Sequence, residues 1–224
     1  APLREFQEVK SRSFEVFDIP ETYQHHNRQY TGYHFPADAI FKGENEPYGA
    51  MISYYVNPEL AEEISKEEKD SKSDKKQWGK KKKGPVEIKI YDKDSTLVRK
   101  MNAPAKKGIN RIYWNLKSEG FELPSWEDEI SEWYRPRGPE VVPGEYFVEI
   151  VLEDGKGSAK ANILSDPRED IPMENRKIKY QALREAGKEM EAAAKAVNKL
   201  KSTYQSIGEL IQKIKSQEDT THKQ

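Results

Sequence analysis

Leu183, Met190, Val197, Tyr204 and Ile211 recur at sevens, and Ala186, Ala193, Leu200, Ile207 and Ile214 each follow three residues later. Alternating steps of three and four, held over about four and a half heptads, place ten apolar side chains along one seam of a coiled-coil-like helix. A helix from about 173 to 216 would run on the order of 65 Å at roughly 1.5 Å per residue. An ordinary small domain is shorter than that, so part of the helix must leave the domain or meet another helix. Ala186 and Ala193 let a partner approach closely over the first half of the seam. The bulkier half from Val197 to Ile214 buries more apolar area and contributes more association energy. Gly187 and Gly208 each cost the helix interior about 1 kcal/mol relative to alanine. A helix of this kind gains most of its stability from packing. Its partner is expected to be a second copy, the domain before it, or a chain segment beyond Gln224.

Upstream the period changes from seven to two. Val86, Ile88 and Ile90 alternate with Glu87, Lys89 and Tyr91, as in a strand with one wet face. Asp92 to Ser95 reads as a tight turn, with Thr96 to Met101 returning as the paired strand. Ile112, Trp114 and Leu116 form the next alternating set, and Met51 to Val56 has the tyrosine and β-branched content of another strand. Tyr146, Val148, Ile150 and Leu152 share one face. Asp154-Gly155 supplies a hairpin turn, because glycine accepts positive φ, and Gly157 to Leu164 returns. Short strands broken by Gly, Pro and Asp turns, with no helical pattern between them, predict an antiparallel β-sandwich of about six or seven strands.

The expected organisation is therefore a linker or extended arm over 1–48 and a sandwich over 49–166, interrupted by insertions at 59–84 and 117–142. The long amphipathic helix follows over 172–217, and 218–224 reads as a disordered tail. Hydrophobic residues make up 35% and charged residues 34%, so some of the chain must be solvated. Its 38 Lys and Arg against 39 Asp and Glu give no overall field for nucleic acid. The absence of cysteine removes disulfides, thiolate nucleophiles and the usual structural zinc sites. No apolar run reaches membrane-spanning length. The chain opens on Ala1 rather than methionine, which reads as a piece of a longer protein.

Candidate chemistry is sparse. Six lysines surround Trp78 between Lys75 and Lys83, a pattern that could contact an anionic polymer. A lysine run without arginine, preceded by a balancing acidic stretch, reads instead as a solvated hairpin tip. Trp126, Trp133 and Tyr134 lie among Glu122, Glu127, Asp128, Glu129 and Glu132, the residue types that hold a sugar. Glycoside hydrolysis would require two carboxylates fixed in a dry cleft, which a loop between strands does not offer. Packing of the loop on the domain edge is the simpler reading, with a carbohydrate-binding module or an accessory part of a glycoside hydrolase as the alternative. His25, His26 and His34 lack the spacing of a metal site. No serine stands in a nucleophile elbow, and no glycine cluster forms a phosphate cradle. The expectation is a non-catalytic chain with no cofactor and no metal.

Four segments in order carry a resemblance: Val86 to Asp92, Leu97 to Arg99, Lys107 to Leu116, and Val142 to Tyr146. The set resembles the Ig-like domain at the C-terminus of bacterial sortilin-like proteins with BNR/Asp-box β-propellers, a module related to the Ig-like domain of the flagellar hook-capping protein. It covers roughly 86–164. Pro2 to Glu5 and Phe17 to Pro20 look like the linker after the last propeller blade, and the chain from Asp166 looks like the first helix of a C-terminal helical hairpin. The resemblance implies an Ig-like fold and an accessory, interaction-mediating role in a protein exported to the periplasm, cell surface or medium. Its implied partners are a propeller and a second helix of the parent protein, or a second copy through the helix. No Ser-x-Asp-x-Gly-x-x-Trp repeat occurs here. The lysine-rich tract 75–83 and the insertion 117–142 depart from the family pattern.

Overall fold

Alternating burial along the strands sets the layers of the first of two compact units in a computed structural model. The structure describes residues 2–25, 46–70, 84–124, 138–153 and 155–221, with 66–70 and 216–221 described by backbone alone. The first unit comprises Ala1–Lys117 with Val141–Met173, and the second Ser118–Glu140 with Glu174–Gln224.

Eight strands are present among the described residues of the first unit, one or two more than the turn spacing predicts. They are β1 (Phe14–Val16), β2 (Thr22–Tyr23), β3 (Ala50–Val56), β4 (Val86–Tyr91), β5 (Leu97–Ala103), β6 (Gly108–Trp114), β7 (Gly144–Leu152) and β8 (Gly155–Leu164). Three strands form one sheet in the order β1-β3-β6, and five form the other in the order β2-β8-β7-β4-β5. Every pairing is antiparallel except that of β2 with β8, which is parallel. Val86, Ile88 and Ile90 of β4 and Tyr146, Val148, Ile150 and Leu152 of β7 are buried, as their alternation requires. They share one core with Ile52, Tyr54, Val56 and Trp114 of the smaller sheet. The Trp114 indole meets the Tyr146 ring edge-on at 5.2 Å, and its Nε1 donates to the Lys117 carbonyl at 2.9 Å. Tyr54 donates its hydroxyl to the Pro104 carbonyl, and burial pushes that phenol's pKa up.

Residues 2–25, from the stretch expected as an arm over 1–48, pack into this unit. Helix α1 (Pro2–Val9) presents Phe6 and Val9, three residues apart and so on one face. These pack with Phe17 against Tyr55 and Ile109. Tyr55 points away from the core that takes Tyr54, so β3 is covered on both faces. β1 then pairs with β3, and β2 with β8. An arm left in solvent would have exposed this second apolar face.

The insertion over 59–84 also corrects the sequence reading, because it opens with helix α2 (Pro58–Asp70). Asn57 caps it, accepting from the Glu59 amide at 2.9 Å, and Pro58 occupies the first turn, where no amide is needed. Ala61 and Ile64 are buried in the main core, with Leu60 packed against it. Three apolar positions among carboxylates suffice to dock one face.

The two hairpins differ in how closely they follow expectation. In β4–β5, Asp92 Oδ1 accepts from the amides of Asp94 at 2.9 Å and Thr96 at 2.8 Å, and Ser95 takes φ 59°. In β7–β8 the positive φ expected at Gly155 falls on Glu153, at 48°, and Gly155 pairs with Leu152 inside the ladder. Glycine is required on β8 for another reason. A Cβ on Gly157 would stand 2.5 Å from Val16 Cγ2, so the bare backbone admits β1.

Ile88 is fully buried on a strand paired on both sides, and Leu97 is about half exposed. Ile88→Ala should lower unfolding free energy by about 2–5 kcal/mol in urea titrations, against about 0.5 kcal/mol for Leu97→Ala. The Arg168 guanidinium, 2.6 Å from Asp166, holds that carboxyl well below the usual range. A folded-state pKa below the unfolded one stabilises fully above about pH 4, and the effect is lost as pH falls. Asp166→Asn should therefore flatten the acid-side decline of the melting temperature, measured between about pH 5 and 2.

Candidate functional site

Helix α3 (Met173–Thr221) is 49 residues long, about 73 Å at helical rise. It ends four residues beyond the boundary the heptads predict and so includes part of the stretch expected as a tail. Within the second unit it carries two stripes of heptad spacing, one position apart around the helix.

The first stripe was not singled out in the sequence. Arg184, Gly187, Glu191, Ala194, Asn198 and Lys201 alternate at threes and fours, and all six are buried or half-buried. Over part of it lies the beginning of the stretch expected as an aromatic insertion. The Phe121 ring sits where Gly187 has no side chain, since a Cβ there would be 2.0 Å from Phe121 Cε2. Arg184 places its guanidinium 6.0 Å from the centre of the same ring, a cation–π contact. Asn198 Nδ2 donates to Glu122 Oε1 at 2.9 Å, eleven residues further along the helix. The strap is closed at its base, where the Ser118 amide donates to the Pro139 carbonyl at 2.9 Å. Gly187 was the available signal: a glycine inside a helical pattern, costly by propensity, implies something lying close to the backbone.

The second stripe is the predicted seam, and it is open. Leu183 is 46% exposed, Met190 50%, Leu200 71%, Tyr204 80%, Ile207 50%, Ile211 48% and Ile214 56%. Ala186 and Ala193 are exposed as well, and Val197 is half-buried. Leu210, one position before Ile211, adds a further exposed side chain at 59%. Clustered on one side of a helix, these residues form an apolar surface of the kind that marks an interaction site. The Lys195–Glu191 ion pair at 3.0 Å lies off this face.

The remaining candidates stay apart from it. Trp126, Trp133 and Tyr134 lie outside the described residues, as do the tract 75–83, His26 and His34. His25 sets its ring edge-on to Tyr48 at 4.9 Å, with Nδ1 3.4 Å from the Tyr23 carbonyl. Among the described residues no three His, Asp or Glu side chains gather as a metal site would require, and no helix is long and apolar enough to cross a membrane. Comparison with protein-family models, curated proteins and solved structures gives no match for this chain.

Gly187→Ala trades a helix gain of about 1 kcal/mol against collision with the Phe121 ring. The substitution should lower stability in the native background. In a Phe121→Ala background, with the ring gone, it should raise stability by about 1 kcal/mol, a reversal of sign that a double-mutant cycle in urea reads directly.

Proposed function

We propose that this chain is a non-catalytic interaction module, an Ig-like β-sandwich whose C-terminal helix docks another helix along its heptad seam. The observation that carries this reading is the exposed stripe from Leu183 to Ile214, kept free while a neighbouring stripe of the same helix takes the Phe121 strap. Side chains of two sheets meeting in one core support the sandwich, and the ordered segments between Val86 and Tyr146 support the Ig-like assignment. The resemblance of those segments to sortilin-like propeller proteins supports an exported parent protein, in which this module braces the propeller.

Docking energy should concentrate in the second half of the seam, where Leu200, Ile207, Ile211 and Ile214 each contribute about 1.5–3 kcal/mol on full burial. A fluorescently labelled helical peptide with leucine at every seam position should bind the chain saturably in anisotropy titrations. Leu200→Glu with Ile207→Glu should weaken that binding by at least about tenfold, since tenfold corresponds to only about 1.4 kcal/mol. Absence of saturable binding by a chain that sediments as a monomer would remove the docking reading.

A further inference from the structure

The seam is asymmetric along its length, and the asymmetry matches itself when reversed. Turned end for end about the midpoint between Asn198 and Lys199, its ten positions fall into facing pairs. Leu183 meets Ile214, Ala186 meets Ile211, Met190 meets Ile207, Ala193 meets Tyr204, and Val197 meets Leu200. Each alanine faces a large side chain, so two antiparallel helices can keep a nearly constant separation. A parallel pair in register would instead set alanine on alanine at 186 and 193 and phenol on phenol at 204. Gaps beside the narrow layers and crowding at the tyrosines would both oppose that arrangement. Sliding the antiparallel pair by one heptad either way leaves two seam residues of each helix facing polar positions, so the register is fixed as well.

The flanks agree. In antiparallel pairing the position after each alanine-bearing layer faces its counterpart on the other helix, which sets Gly187 opposite Gly208 and Ala194 opposite Lys201. On the other flank Glu189 faces Leu210 and Ala196 faces Thr203, so no like charges oppose. A Cβ at Gly208 would meet nothing within 4 Å among the described residues of this chain, so no contact described there requires glycine. Gly187 already carries the Phe121 ring on that side. A bare backbone on the facing helix leaves room for the ring at the edge of the seam, which gives Gly208 a physical reason.

We infer that the occupant of the seam is a second copy of this chain, paired antiparallel along α3 and centred between Asn198 and Lys199. This rests on the docking reading above. The paired length is about 47 Å at helical rise. Burial of the large seam side chains removes about 1,200 Å² over the two copies at the usual area per side chain, the lower end of the range for specific interfaces.

The absence of native cysteine makes the test clean. Ala193→Cys and Tyr204→Cys chains, each checked for native helix content by circular dichroism, are oxidised each alone and as an equimolar mixture of the two reduced chains. The expected result is a disulfide-linked dimer in the mixture and none from either variant alone, because like positions sit about 16 Å apart along the axis. Sedimentation of the native chain should show a mass rising with concentration from 26.0 kDa toward twice that value. Gly208→Leu, which improves helix propensity, should nonetheless weaken the dimer about tenfold by filling the space beside Phe121. Cross-linking of either variant alone would overturn the antiparallel arrangement. A chain that remains monomeric but still binds the leucine peptide would overturn self-pairing and leave docking standing. A monomer that binds no such peptide would remove both.

Discussion

Phe121 lies on α3 where Gly187 offers no side chain, and the use of the whole helix follows from that contact. A helix presents its residues around a full circle, and only the stripes that something reaches become buried. With Arg184 over the ring and Asn198 holding Glu122, the strap occupies one stripe across about three turns. The stripe beside it is left to solvent, and it is the one with the larger side chains. A strap rotated by one position would have covered Leu183 and Met190 and left a polar helix outside.

Within the first unit the comparable constraint is β3. Its two faces bury different residues: Ile52, Tyr54 and Val56 enter the core shared by both sheets, while Tyr55 meets Phe6, Val9 and Phe17. A strand apolar on both sides needs cover on both sides. The N-terminal residues supply it, which makes them part of the fold and admits β1 alongside Gly157. The core then depends on chain segments far apart in sequence. Gln24, for example, donates to the Val141 carbonyl at 2.5 Å. Loss of residues up to Tyr23 would uncover Tyr55 and remove β1 from beside β3 and β2 from beside β8 at once.

Much of this was legible in the residues, and the limits of the reading have physical causes. Period-two alternation is a local property, so β4 and β7 could be placed from Val86 to Ile90 and from Tyr146 to Leu152 alone. Helix α2 was missed because its docking face is only Leu60, Ala61 and Ile64 among acidic residues, too short a signal for a periodic pattern. β1 and β2 were missed because three- and two-residue strands have no period at all. The hairpin after β7 was placed one or two residues late, since glycine suits both a turn and a crowded strand, and only the approach of Phe14 and Val16 distinguishes these.

By itself the sequence determined that α3 is long, that its seam runs through ten named residues, and that this seam narrows at Ala186 and Ala193. These follow from the period of the α-helix, which needs no tertiary information. Which stripe the chain would cover for itself was decided only by the tertiary structure. Two stripes with the same spacing stand one residue apart, and periodicity cannot rank them. The ring of Phe121, more than sixty residues earlier, ranks them by fitting only where a glycine leaves the backbone bare.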